Sequence, residues 1–362
     1  MNMKPLNLFA AGMILGILIF SCSKDKSKGP DNTVFSKGVF IVDEGNYYDA
    51  DGEVTFINFI TGDVQHNVFK NANNRPFAGV LQSLTLFNGK GYLVDQLGRM
   101  EVVDALHFKS AGTLREGLAI PRYFAASGNT GFITDWGPYD AGYNNPHSKI
   151  VVVNLDDLTV KDTLPTGSRP EGIILSGGHI FVANSATDKV TVYNAGTYSL
   201  EKEITVTAGP VQFVTDKTGN LWVACTGSDS TSSAMEVIDP VNLEVNKTIT
   251  LPPGVVLNGK IAINGTKDMV YVMSEQWSTD YSYSNNTIFK QPVDNSYFSY
   301  SSVLARRNLY GLGVDPSTAY VYVADAAAFQ TNGIIYVYSD SGALLDSAGV
   351  DRGPRDFVFV NN

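Results

Sequence analysis

A seven-bladed all-β propeller, each blade four strands deep, is predicted by two observations on this 362-residue chain. The composition favours strands and tight turns: only 17% of residues are charged, while Gly contributes 34, Tyr 18 and Phe 19. In addition, an apolar run closed by a small residue recurs as GVFIVD from Gly38, GYLVD from Gly91, GFITD from Gly131, HIFVAN from His179, LWVAC from Leu221, VYVMS from Val270 and VYVAD from Val321. The closing residues Asp43, Asp95, Asp135, Asn184, Cys225, Ser274 and Asp325 are spaced 52, 40, 49, 41, 49 and 51 apart. A period of 40 to 50 residues means propeller blades or helical solenoids, and period-two alternation with hairpin chemistry selects the propeller.

Each blade is assembled in order from these runs. After every copy comes a second strand-like run, as in VTFIN to Asn58, MEVVD to Asp104, IVVVN to Asn154, VTVYN to Asn194, MEVID to Asp239, TIFKQ to Gln291 and IIYVYSD to Asp340. A third run follows, and one more precedes the next copy, for example VLQSLTLF from Val80, EGIILS from Glu171 and GLGVD from Gly311. The first blade lacks this preceding strand. PRDFVFV from Pro354 supplies it, so the C-terminal strand is expected to close the ring on the N-terminal blade and remove a free edge.

Ahead of the propeller, assigned to 37–362, lie two short segments. Residues 1–21 carry Lys4 and the apolar run Leu8 to Phe20, the form of a secretory signal. Ile19-Phe20-Ser21-Cys22 resembles a bacterial lipoprotein signal, which implies an acylated Cys22 as the first mature residue. Residues 22–36, rich in Lys, Ser, Asp and Gly, then read as a flexible tether. Cys225 would be the lone remaining thiol, and within LWVAC it reads as buried packing.

Hairpin geometry sorts the loops by face. First-to-second turns share one end of the ring; second-to-third and inter-blade loops share the other. The former are short, as in FNGKG, SGNTG and DKTGN. The latter expand at Asp43–Asp49, at DWGPYDAGYNNPHS from Asp135 and at SEQWSTDYSYSNN from Ser274. Long loops on a rigid scaffold usually carry function. Tyr47, Tyr48, Trp136, Tyr139, Tyr143, Trp277, Tyr281, Tyr283 and Phe329 are therefore expected to rim a ligand-binding face, with mutual packing of the loops as the alternative.

Inter-blade segments add Arg75, Arg122 with Tyr123, Arg169, Arg306-Arg307 with Tyr310, and Arg355. Forked guanidinium donors suit phosphate, carboxylate or carboxamide groups, or else tie blades together through Asp43, Asp135 and Asp325. The recurrent Asp or Asn itself is read as closing turns through backbone N–H groups rather than as a cation site. Catalysis finds little support, because GxSxG, HExxH and P-loop motifs are missing and His66, His107, His147 and His179 occupy unrelated blade positions. The expectation is a binding protein without cofactor or metal. A net charge of -10 argues against nucleic acid as partner.

FVANSATDKVTVYN, from Phe181 to Asn194, resembles the repeat of YVTN-type, YncE-like propellers. The GVFIVDEGN block, NVFKNANNRP from Asn67 and the lipoprotein-like leader narrow the likeness to surface lipoproteins of Bacteroidetes, a group that includes the cobalamin-binding BtuG type. That resemblance implies a lipid-anchored outer-membrane protein that takes up a bulky small molecule, a corrinoid by name, and passes it to a TonB-dependent transporter. The tether SKDKSKGPDN has few of the acids such surface lipoproteins often carry, which keeps periplasmic residence open. A protein-docking module without small ligand, or a metal-dependent lactonase-type enzyme, are the competing expectations.

Overall fold

A computed structural model of the chain describes residues 34–361, so the expected leader, Cys22 and most of the tether lie outside the described residues. Seven antiparallel sheets of four strands form the ring. From the inside outward, blade 1 runs Pro354–Asn361, Lys37–Asp43, Glu53–Asn58 and Val64–Gln65; its order confirms closure by the C-terminal strand. The innermost strands of blades 2 to 7 are Leu81–Phe87, Pro121–Ser127, Pro170–Ser176, Pro210–Thr215, Leu257–Ile263 and Leu309–Val314. Each touches the next around the channel, and the last touches Pro354–Asn361.

The recurring apolar run is the second strand of every blade, and its continuous hydrophobicity has a direct cause. Each blade is sandwiched between two others, so alternate side chains enter different cores. In blade 5, Leu221, Val223 and Cys225 pack with Phe181, Val190 and Val192 of blade 4. Trp222 and Ala224 point the other way, onto Val270 and Val272 of blade 6. Seven such cores fill the seven blade interfaces. Outermost strands alternate instead, as in Glu244–Thr250, because one face meets solvent.

Two local features depart from the sequence reading. NVFKNANNRP contains a short helix, Val68–Asn73, whose Val68, Phe69 and Ala72 pack into the core between blades 1 and 2. It flanks the stunted two-residue outer strand of blade 1. In blade 6 the anticipated loop after Ser274 is largely a hairpin extension, because pairing continues through Trp277 opposite Ser284. Alternating polar and aromatic residues can extend a ladder as readily as form a loop.

Candidate functional site

The innermost strands share an irregularity that builds the site. Register breaks just after the start of each, leaving one to three residues without a ladder partner: Arg355, Gln82, Arg122-Tyr123, Glu171-Gly172, Val211-Gln212, Asn258-Gly259-Lys260 and Tyr310. Bulges of this kind re-aim side chains at a barrel rim. Here they turn polar side chains from every blade toward the channel mouth.

A hydrogen-bonded network results. Arg355 Nη1 donates to Glu44 Oε2 at 2.9 Å, Gln82 Oε1 at 2.9 Å and Tyr310 Oη at 3.2 Å, while its Nη2 donates to Tyr123 Oη at 3.1 Å. Gln82 Nε2 donates to Glu44 Oε1 at 2.8 Å, Gln212 Nε2 reaches Tyr123 Oη at 2.8 Å, and the Tyr310 hydroxyl donates to Glu44. Burial pushes the Glu44 carboxyl up, but the Arg355 charge and the Tyr310 and Gln82 hydrogen bonds outweigh it and hold the group below its ordinary value. Burial and the Glu44 carboxylate push the Tyr310 hydroxyl up, which keeps it a donor. Arg122 Nε spans both Glu171 oxygens, at 3.2 and 3.4 Å, and its Nη1 donates to Gln96 Oε1 at 2.8 Å.

Above this network lies a cavity of about 540 Å³, open to solvent at the end carrying the second-to-third loops. Of the nominated residues, Arg122, Tyr123, Trp277, Tyr281, Tyr310, Phe329 and Arg355 line it. Its wall is part aromatic, with Phe329 edge-on to Tyr310 at 5.0 Å and the half-exposed Trp277 on the blade 6 hairpin. The volume falls within the range of small-molecule sites, and an apolar wall with few convergent polar groups is their usual construction.

The remaining nominated residues lie outside the cavity, each for a visible reason. Arg75 precedes its innermost strand and turns outward, pairing with Glu101 at 2.6 Å over the Phe69 ring. Arg169 donates to Asn145 Oδ1 at 3.0 Å and to the Tyr143 carbonyl at 3.2 Å, bracing the blade 3 loop. Trp136 sits between the Arg122 and Arg169 guanidiniums, 4.5 and 5.3 Å from its ring, and Tyr283 lies under Arg307 at 4.0 Å. Tyr47 and Tyr48 pair with each other on the blade 1 loop, as do Tyr139 and Tyr143 on that of blade 3, and all four are exposed.

The proposed Arg ties to Asp43, Asp135 and Asp325 are replaced by Glu44, Glu101 and Glu171. Those Asp residues serve the backbone where they bond at all: Asp135 accepts from Ala119, Ile120 and Gly137 N–H groups, and Asp325 from that of Ala327. Asp43 is the exception. Neither of its buried oxygens has a donor in full hydrogen-bonding geometry among the described residues, and burial, with Asp351 beside it, pushes its carboxyl up although Thr55 lies close enough to oppose the shift. Among the described residues no three His, Cys, Asp or Glu side chains converge as a metal site requires.

Sequence reasoning missed Glu44, Gln82, Glu171, Gln212, Asn258 and Lys260. A usable signal was present in four blades, whose innermost strands begin with Pro121, Pro170, Pro210 and Pro354: the bulged residues come directly after.

Fold and site together define a seven-bladed propeller with a polar channel mouth beneath a partly aromatic cavity. The chain belongs to the family described as a domain of unknown function, DUF5074, which matches residues 37–351. Solved structures of similar fold include a quinonprotein alcohol dehydrogenase-like protein from Bacteroides thetaiotaomicron, 16% identical with a TM-score of 0.69 over 91% of this chain and 80% of that one. A protein from Lactobacillus plantarum is 16% identical, with a TM-score of 0.62 over 90% of this chain and 99% of that one. Hydrazine synthase from Kuenenia stuttgartiensis is 15% identical, with a TM-score of 0.58 over 76% and 88% respectively. These identities carry the likeness of fold alone. No curated protein matches the chain.

Proposed function

We propose that this protein binds a small molecule at the channel mouth and acts by capture rather than catalysis. The observation that carries the reading is the cavity itself: Trp277, Tyr281, Tyr310 and Phe329 offer apolar contact, and Arg122, Tyr123, Lys260 and Arg355 offer donors at its floor. The sequence likeness to YncE-like surface lipoproteins supports two extensions. Cys22 would be acylated and hold the propeller at the outer membrane, and the captured ligand would pass to a TonB-dependent transporter.

A corrinoid is the named candidate, because its carboxamides and phosphate suit the Arg and Gln donors and its apolar edges suit the aromatics. A corrinoid exceeds this cavity in size, so only one edge of it would enter. Tyr48 and Tyr143, 93% and 79% exposed on flanking loops, would then meet the remainder or the transporter.

Calorimetric titration of the propeller with cyanocobalamin tests the named ligand. Binding that weakens at least about tenfold in Trp277→Ala supports it; no heat at micromolar protein and ligand removes the corrinoid. Palmitate labelling of cells that is lost in Cys22→Ser supports the anchor, and labelling that persists in the variant refutes it.

A further inference from the structure

We propose that the floor of the cavity is a subsite for one anionic group, a carboxylate or a phosphate, seated on Lys260 beside Arg355. This rests on the ligand-binding reading and names the chemical class of the ligand.

Three cations reach the channel mouth, and two of them are already neutralised. Arg122 pairs with Glu171 and Arg355 with Glu44. Lys260 is 8% exposed, and its Nζ donates to the Arg355 carbonyl at 2.9 Å. Among the described residues no carboxylate forms an ion pair with it. An ammonium has three donors, and leaving a buried charge with one neutral acceptor is costly. Glu275 lines the same cavity out of ion-pairing reach, and burial pushes its carboxyl up. The mouth therefore has, at Lys260, one buried cation with spare donors and no carboxylate within ion-pairing distance among the described residues.

Backbone geometry shows how Lys260 gets there. The bulge Asn258-Gly259-Lys260 is the longest of the seven, and Gly259 takes φ +88 with no room for a Cβ, which would meet Val211 at 2.6 Å. Such a conformation costs other residues free energy, and it delivers a lysine to a rim that a regular strand would not. The Lys260 ammonium lies 5.9 Å from the Tyr310 ring centroid, with Trp277 and Phe329 in the same wall. The ligand class is thus an acid with an apolar body, its anion toward the channel.

Calorimetry with 4-phenylbutyrate, phenyl phosphate and the neutral isostere 4-phenylbutyramide tests this. In the unaltered chain the two acids should bind roughly tenfold or more tightly than the amide, as a charge-assisted hydrogen bond would give. Lys260→Met should weaken both acids by roughly tenfold more than it weakens the amide, erasing that preference, and Lys260→Arg should keep it. Equal affinity of acid and amide in the unaltered chain overturns the subsite but leaves the binding reading, as does a preference that survives in Lys260→Met. Failure of all three probes to bind at millimolar concentration overturns both. Because the first comparison needs no variant, a Lys260→Met chain that fails to fold still leaves a decisive result.

Discussion

Arg355 and Tyr123 hydrogen-bond at 3.1 Å although 232 residues separate them and blade 2 lies between their blades. The bond spans the channel mouth, so one guanidinium ties blades 1, 2, 3 and 7 through Glu44, Gln82, Tyr123 and Tyr310. Arg355→Met strips Glu44 of its buried counter-charge, and breaking such a pair typically costs about 3–5 kcal/mol. Thermal and denaturant unfolding should show that loss. The Arg355→Met, Glu44→Gln double variant should be more stable than the two single costs summed, since it leaves no orphaned charge. Strict additivity would refute the coupling.

The two tryptophans of the long loops should separate stability from binding. Trp136 is clamped by Arg122 and Arg169, so Trp136→Ala should lower stability by roughly 2–4 kcal/mol through lost packing and cation–π contact. Trp277 is 51% exposed, and Trp277→Ala should stay within about 1 kcal/mol of the unaltered chain while weakening any ligand of the cavity. Melting curves for both variants beside a binding isotherm for Trp277→Ala check this; reversed roles would misplace the site.

What could be read in advance followed from local alternation. Leu221–Cys225 is apolar at every position because both blade faces are buried, and that pattern is written in neighbouring residues. The face bearing Trp277 and Phe329 followed from counting hairpins. Lys260 did not, because it enters the channel through a slip of strand register, which depends on how Leu257 pairs with Ser274 and Ile261 with Val272. Arg75 and Arg122 look alike in sequence, both close to a proline between blades. Their order about the proline distinguishes them: Arg122 follows Pro121 into the bulge and turns inward, whereas Arg75 precedes Pro76 outside any bulge and falls on Glu101.

Gly259 provides a direct test of that bulge. Alanine there would face both the positive φ and the Val211 clash at 2.6 Å, at a cost of about 1–3 kcal/mol. Measured against Val211→Gly alone, Gly259→Ala should cost less than in the unaltered chain, because the Val211 Cβ and Cγ atoms it would meet are gone, but the share due to φ should remain. Complete rescue would mean that the backbone conformation is unstrained for alanine.

Acid should stabilise one corner of blade 1. Burial pushes the Glu53 carboxyl from 4.5 up to about 7, despite hydrogen bonds from the Val54, Lys70 and Phe69 N–H groups. Between those values the unfolded chain has lost the proton and the folded chain still holds it, so stability falls as pH rises through this window. The shift corresponds to roughly 3 kcal/mol. Glu53→Gln cannot ionise; it should start less stable at pH 5, having lost backbone hydrogen bonds, and close on the unaltered chain by about that amount at pH 8. Urea melts at the two pH values measure the gap, and parallel profiles would refute the raised carboxyl.

Closure of the ring should be all-or-none. Pro354–Asn361 pairs along the whole of Lys37–Asp43, supplies Phe357 to the core with Val39, Ile41 and Tyr322, and brings Arg355 to Glu44. A chain ending at Gly353 would expose the innermost edge of blade 1, strip Phe357 from the core with blade 7 and Val360 from the core with blade 2, and leave Glu44 without its ion-pair partner. The cost would fall on blades 7, 1 and 2 together, since the strand fills the cores on both sides of blade 1. Such a chain should lose its single cooperative unfolding transition and be cut readily by protease within residues 37–65. A synthetic peptide of residues 354–362, added in excess, should restore both the transition and the protection, because edge pairing and core filling are supplied by that strand alone. A truncated chain that melts like the full one would show that the ring holds without its clasp.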